Sequence, residues 1–213
     1  SCVLSPKELD KKLCEITEKP VAVYVTSPDY LGNMSDIGGI SAVCKKHGVL
    51  LLVDNAHGAY LAFTDKKMHP IALGADMCCD SAHKTFPVLT GGAYLHIANS
   101  FDADKDEVRS TLALFASTSP SYLILQSLDL CNSYLANGYR ERLANCIARL
   151  DKIKSDLAER GICAKETEPL KLVLTRESCG YGGDELAKIL RDHSIEPEFV
   201  DKDALVLMAT PSL

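Results

Sequence analysis

The sequence predicts an α/β protein: a three-layer arrangement around a mostly parallel sheet, followed by a small second α/β unit. Three observations carry this. The strands expected at 21–26, 49–53 and 76–79 carry apolar residues in continuous rather than alternating order, as in strands buried on both faces. Segments with helical spacing and capping residues separate them. Glycine, proline, asparagine and aspartate mark the joins.

The elements follow in order. Ser5, Pro6 and Glu8 open a helix as cap, first helical residue and capping-box partner. Leu9, Leu13 and Ile16 fall on one face, and Pro20 ends it. Residues 21–26 form a buried strand and 27–33 a loop rich in turn formers. Ser35 caps a second helix that buries Ile37, Ile40, Val43 and Cys44 and stops at Gly48. The strand at 49–53 delivers Asp54. His69-Pro70 starts a short helical stretch to Gly74, before strands at 76–79 and 91–97. The link at 84–90 is too short for a parallel crossover, so the fourth strand is expected antiparallel. Asp104 and Glu107 cap a helix with a Val108, Leu112, Phe115 stripe. Ser119-Pro120 restarts a helix that runs, bent near Gly138, to Arg160-Gly161. A strand at 170–175, a helix at 184–193 and a strand at 204–209 complete the small unit. The division expected is 1–135 and 136–213, within the long helix. The last strand is followed by nothing that could cover it, which reads as a piece of a longer polypeptide.

Composition narrows the function. Over 213 residues the chain is 46% hydrophobic, with a net charge of −6 and no basic tract. Nucleic acid and anionic membrane are therefore excluded as partners. The longest apolar run, 204–209, falls far short of the roughly 20 residues of a membrane helix. Nine cysteines, an odd number without a secretory leader, read as free thiols in a reducing, cytoplasmic compartment.

Ligands of open parallel sheets bind at the carboxyl ends of the strands. Those ends carry Thr26-Ser27-Pro28, then Asp54-Asn55-Ala56-His57, then Asp80-Ser81-Ala82-His83-Lys84. A lysine leaving a buried strand beside a histidine would have a lowered pKa, suited to an amine nucleophile and a Schiff base. Taken singly, each residue has an ordinary reading: a solvated lysine, a turn aspartate, histidines satisfied by backbone. No CxxC or HxxxH spacing points to a metal, no GxGxxG or GxxxxGKS to a nucleotide, and no GxSxG to a hydrolase.

The combination is more specific. Val25-Thr26-Ser27-Pro28-Asp29-Tyr30-Leu31-Gly32, Val53-Asp54-Asn55-Ala56-His57-Gly58-Ala59, Asp80-Ser81-Ala82-His83-Lys84-Thr85 and Thr118-Ser119-Pro120-Ser121-Tyr122 stand in the sequence. Together they resemble the Orn/Lys/Arg decarboxylases, pyridoxal-phosphate enzymes of the aspartate aminotransferase fold. The resemblance covers about residues 20–135 and implies decarboxylation of ornithine, lysine or arginine. It implies that Lys84 binds the cofactor aldehyde, Asp54 the pyridine nitrogen and His57 the phenolic oxygen. Ala56 would lie against the ring, Ser81 and His83 would contact the phosphate, and Thr118 and Ser119 would add contacts from a neighbouring subunit of a homodimer. The family's glycine-rich phosphate loop and ring-stacking residue belong upstream of Ser1. This chain alone is therefore expected to bind the cofactor weakly or not at all and to be inactive. Another lyase or transferase of the same fold, and a cofactor-free domain, remain the alternatives.

Overall fold

The computed structural model describes residues 3–116 and 119–211. They gather into two compact units. One runs to Pro28 and resumes over Ser35–Asn137; the other takes Asp29–Met34 and the residues from Gly138 onward.

The first unit is built on a four-stranded sheet of β1 (Ala22–Thr26), β2 (Leu50–Asp54), β3 (Met77–Asp80) and β4 (Tyr94–Ile97), in that spatial order. The first three strands are parallel and β4 is antiparallel to β3, as the short link requires. Helices α1 (Pro6–Glu15) and α2 (Ile37–His47) contribute Leu9, Ile37, Ile40 and Cys44 to a core shared with Val25, Leu51, Val53 and Cys78. Burying side chains of this size contributes about 1.5–3 kcal/mol each, which outweighs the modest intrinsic preference of either helix.

Several local expectations are corrected. Ser5 precedes α1 without a side-chain cap, and the helix ends at Glu15, well before Pro20. Pro6 at the first position already removes one of the donors a cap would serve, and Ile16 has turned to extended backbone. The cap of α2 is Asp36, whose Oδ1 accepts from Gly39 N–H at 2.9 Å, rather than Ser35, whose own N–H donates to Ser27 Oγ at 3.0 Å. The segment 69–74 forms turns, with Leu73 N–H to Pro70 O and Gly74 N–H to Ile71 O, both 3.1 Å, and goes no further toward a helix. β1 is not buried on both faces: it lies at the sheet edge with Tyr24 67% exposed and only Val25 in the core.

Gly48 ends α2 in the left-handed region, φ +63°. A Cβ there would meet only the tip of the Lys19 side chain, so the cost of Gly48→Ala is that of the backbone alone. Urea unfolding should show a loss of about 1 kcal/mol.

Beyond the sheet, α4 (Lys105–Phe115) is capped by Asp104, which accepts from Asp106 and Glu107 N–H at 2.7 and 3.2 Å. Its stripe is present but uncovered: Leu112 and Phe115 are exposed. The expected bent helix is two helices, α5 (Tyr122–Ala136) and α6 (Tyr139–Ala158), separated where Gly138 takes φ +73°.

In the second unit, β5 (Lys171–Thr175), β7 (Ala204–Met208) and β6 (Phe199–Val200) form an antiparallel sheet in the order β5-β7-β6. Two helices accompany it, the one-turn α7 (Arg176–Cys179) and α8 (Gly183–Asp192). Leu150 of α6 packs with Leu172 and Leu174. Within this unit Lys171 and Glu168, each 1% exposed, form an ion pair of 2.9 Å. Lys171 Nζ also donates to the Tyr30 and Asp29 carbonyls at 3.0 and 3.4 Å, and Glu168 N–H donates to Gly32 O at 2.8 Å. The segment 29–34 is thereby anchored to the strand edge.

Candidate active site

Parallel pairing sets the site. Thr26 lies opposite Asp54, and Asp54 opposite Cys79, so the exits of β1, β2 and β3 fall at one edge of the sheet. After Asp80 the chain turns into the single-turn helix α3 (Ala82–Thr85), with Ser81 preceding it and Ala82 fully buried as its anchor. That turn presents His83 and Lys84.

Lys84 Nζ lies 3.3 Å from His57 Nε2, joining the β3 exit to the β2 exit. An ammonium only donates, so with Lys84 protonated Nε2 accepts and the imidazole is neutral. Among the described residues no carboxylate is paired with Lys84 and no cation with Asp54. Asp54 Oδ1 accepts from Ala56 N–H at 3.1 Å and Oδ2 from the Tyr24 hydroxyl at 3.2 Å. Burial, then the charge of Asp54, raises the Tyr24 phenol above its ordinary value, so it stays a donor. His83 Nδ1 lies 3.0 Å from the Gly92 carbonyl, which fixes its proton on Nδ1. Ser81 is half-buried with no capping bond, Ala56 is half-buried, and Ser119 is exposed. Thr118 lies outside the described residues.

The structure adds residues the sequence reading did not single out. Asn55, fully buried, donates from Nδ2 to Asp80 Oδ1 at 2.7 Å, while its backbone N–H donates to Cys79 O at 2.9 Å. The two strand exits are therefore clamped immediately beside Asp54 and four residues before Lys84. Asp80 Oδ2 lies 3.0 Å from His69 Nε2 and 3.0 Å from His96 Nε2. Burial would raise the Asp80 carboxyl, but His69, His96 and Asn55 outweigh it and hold it well below the usual carboxylate range. Cys78 and Cys79 are pushed the other way, first by burial and then by neighbouring carboxylates, so neither supplies a thiolate nucleophile. An alternation signal was available for this cluster: Cys78 and Asp80 are two apart on one strand and share a face.

A family model for the Orn/Lys/Arg decarboxylase major domain matches residues 2–172. The chain belongs to the Orn/Lys/Arg decarboxylase family. Among its relatives, the uncharacterized protein YaaO of Bacillus subtilis (strain 168) is 32% identical over 208 residues, covering 93% of this chain and 43% of the relative. An arginine decarboxylase of the same organism is 30% identical over 212 residues, covering 92% and 43%. The chain thus spans less than half the length of these curated relatives. The lysine decarboxylase LdcF of Francisella novicida superposes with a TM-score of 0.73 over 96% of this chain and 36% of its own, at 16% identity, a likeness of fold.

The residues present fit the cofactor such a family implies. Among the described residues, a primary amine without an anionic partner and a carboxylate without a cationic one stand at neighbouring strand exits, the pair that an aldehyde and a pyridinium nitrogen need. Gly58 follows directly, and a Cβ there would strike Asn55 Oδ1 and Leu61 Cδ1, so the turn carrying His57 tolerates no side chain.

Proposed function

We propose that the protein containing this chain decarboxylates a basic amino acid with pyridoxal phosphate. The observation that carries the reading is Lys84, an amine free of any carboxylate partner among the described residues and held 3.3 Å from His57 Nε2. When bound, pyridoxal phosphate supplies an electron sink for the pair left when CO₂ departs. Lys84 would hold its aldehyde carbon and Asp54 its ring nitrogen, with the Tyr24 hydroxyl and Ala56 N–H orienting the Asp54 carboxylate. Ala56 would lie on the ring face. His57 would serve its phenolic oxygen and exchange a proton with Lys84 Nζ. Ser81 and His83, with Thr118 and Ser119, would serve the phosphate.

Arginine is the first substrate to test, because a curated arginine decarboxylase stands among the relatives, with lysine and ornithine beside it. Release of CO₂ from one of the three, dependent on added cofactor, is the expected result for the full-length polypeptide. Release from none of them, with turnover of a neutral amino acid instead, would overturn the substrate class.

Self-association belongs to the same reading. Leu112, Leu114 and Phe115 of α4 and Tyr122 and Leu123 of α5 are exposed, and large apolar side chains left in water favour association. A homodimer is expected by light scattering, and Leu114→Asp with Phe115→Asp should shift it to the monomer mass. The eight cysteines described are all free, which favours a reducing compartment such as the cytoplasm. No helix among the described residues is long and apolar enough to cross a membrane.

A further inference from the structure

We propose that His69, Asp80 and His96 form a binding site for a divalent zinc-type cation, with Cys78 as a fourth donor. The site is distinct from the Lys84 centre and does not rest on the decarboxylase reading. His69, Asp80 and His96 each offer one donor atom, and these atoms all lie within 4.8 Å of one another. Both nitrogens stand 3.0 Å from the carboxylate oxygen. Donors bonded to one ion at about 2.0–2.1 Å are themselves about 2.9–3.4 Å apart, so the spacing suits a shared metal.

The strand register explains why these side chains meet. Cys78 and Asp80 point to one face of β3, and His96 of β4 is paired directly across from Cys78. His69 arrives from the preceding turn. Cys78 Sγ lies 3.9 Å from both His69 Nε2 and Asp80 Oδ1, close enough to close a four-donor set by a small side-chain rotation.

Two further observations point to a ligand rather than to a plain hydrogen-bonded cluster. His96 Nε2 is buried and, although 3.0 Å from Asp80 Oδ2, is not aligned for a hydrogen bond to it. An ion placed between the rings would use that nitrogen. Asp80 Oδ1 is held by the Asn55 amide at 2.7 Å, the outer hydrogen bond that commonly orients a ligating carboxylate. Two imidazoles, a carboxylate and a thiol are a donor set that suits zinc, whereas calcium and magnesium prefer oxygen alone. Bound there, the ion would cross-link the 69–74 turn, β3 and β4 four residues ahead of Lys84.

A second trio, Asp10, Cys14 and His47, lies nearer the surface and would confuse a simple titration. The test therefore uses His47→Gln as its background. Titration with Zn²⁺ against a competing chromophoric chelator, without pyridoxal phosphate, should give one equivalent bound in the His47→Gln protein. Adding His96→Gln or Asp80→Asn should weaken it at least 100-fold. His96 is partly exposed, so its replacement is the variant expected to fold, and circular dichroism checks this. Co²⁺ in place of Zn²⁺ should give visible ligand-field bands, with a near-ultraviolet sulfur charge-transfer band that Cys78→Ser removes. Equal affinity with and without His96, or Co²⁺ spectra of a purely hydrated ion, would overturn the proposal. Because no cofactor or substrate is present, failure here leaves the decarboxylase reading untouched.

Discussion

Lys84→Ala is expected to abolish the visible absorbance that appears on adding pyridoxal phosphate and to lower amino-acid decarboxylation by about four to six orders of magnitude, the scale on which removal of a nucleophile that works as part of a unit is felt. The expectation follows from how little else the side chain does. Among the described residues its polar contact is His57, at 3.3 Å, and it is only half-buried in a one-turn helix. Stability should therefore change by less than about 0.5 kcal/mol, as for most substitutions away from the core. Lys84→Arg should not rescue activity, because a guanidinium stays protonated and cannot add to an aldehyde as a free amine does. Activity assays on the full-length polypeptide, with unfolding curves of each variant, separate loss of chemistry from loss of fold.

Glu168→Ala should be the most damaging single change to stability in the second unit. It leaves the Lys171 ammonium, 1% exposed, without its anionic partner 2.9 Å away. Stranding one member of a buried pair costs about 3–5 kcal/mol, several times the cost of losing a surface salt bridge. The Tyr30 and Asp29 carbonyls remain as acceptors but carry no full negative charge to offset the ammonium. The double change Glu168→Leu with Lys171→Met should recover much of the loss, since it removes both charges together. Urea unfolding of the wild type, Glu168→Ala and the double variant makes the comparison. If Glu168→Ala proved as mild as a surface substitution, the pair would be solvated rather than buried.

The parts of the fold legible in the sequence were those encoded locally. Continuous apolar runs marked the first three neighbouring strands, and the short link after Lys84 set the antiparallel direction of β4. Gly48 marked the end of α2 because only a left-handed residue stops the helix there. Boundaries and burial were less legible. Tyr24 and Val21 look like core residues by composition, yet both are exposed, and among the described residues β1 pairs with β2 alone. Ser35 and Asp36 are both good cap residues by type, and the helix begins at Ile37, so Asp36 stands at the cap position and its Oδ1 reaches Gly39 N–H. At the site, strand ends and spacing brought out Asp54 and Lys84. The network behind them was less legible: alternation puts Cys78 and Asp80 on one face, but His96 joins them through the β3–β4 register and His69 from the preceding turn.

The central claim is that Lys84 is the amine that holds the cofactor. Borohydride reduction in the presence of pyridoxal phosphate, followed by peptide mapping, tests it most directly, since reduction traps even a weakly held imine. Phosphopyridoxyl label concentrated on Lys84, and lost rather than redistributed in Lys84→Ala, is the result expected. Label on another single lysine, or spread evenly over the exposed lysines with Lys84 unmodified, would contradict it.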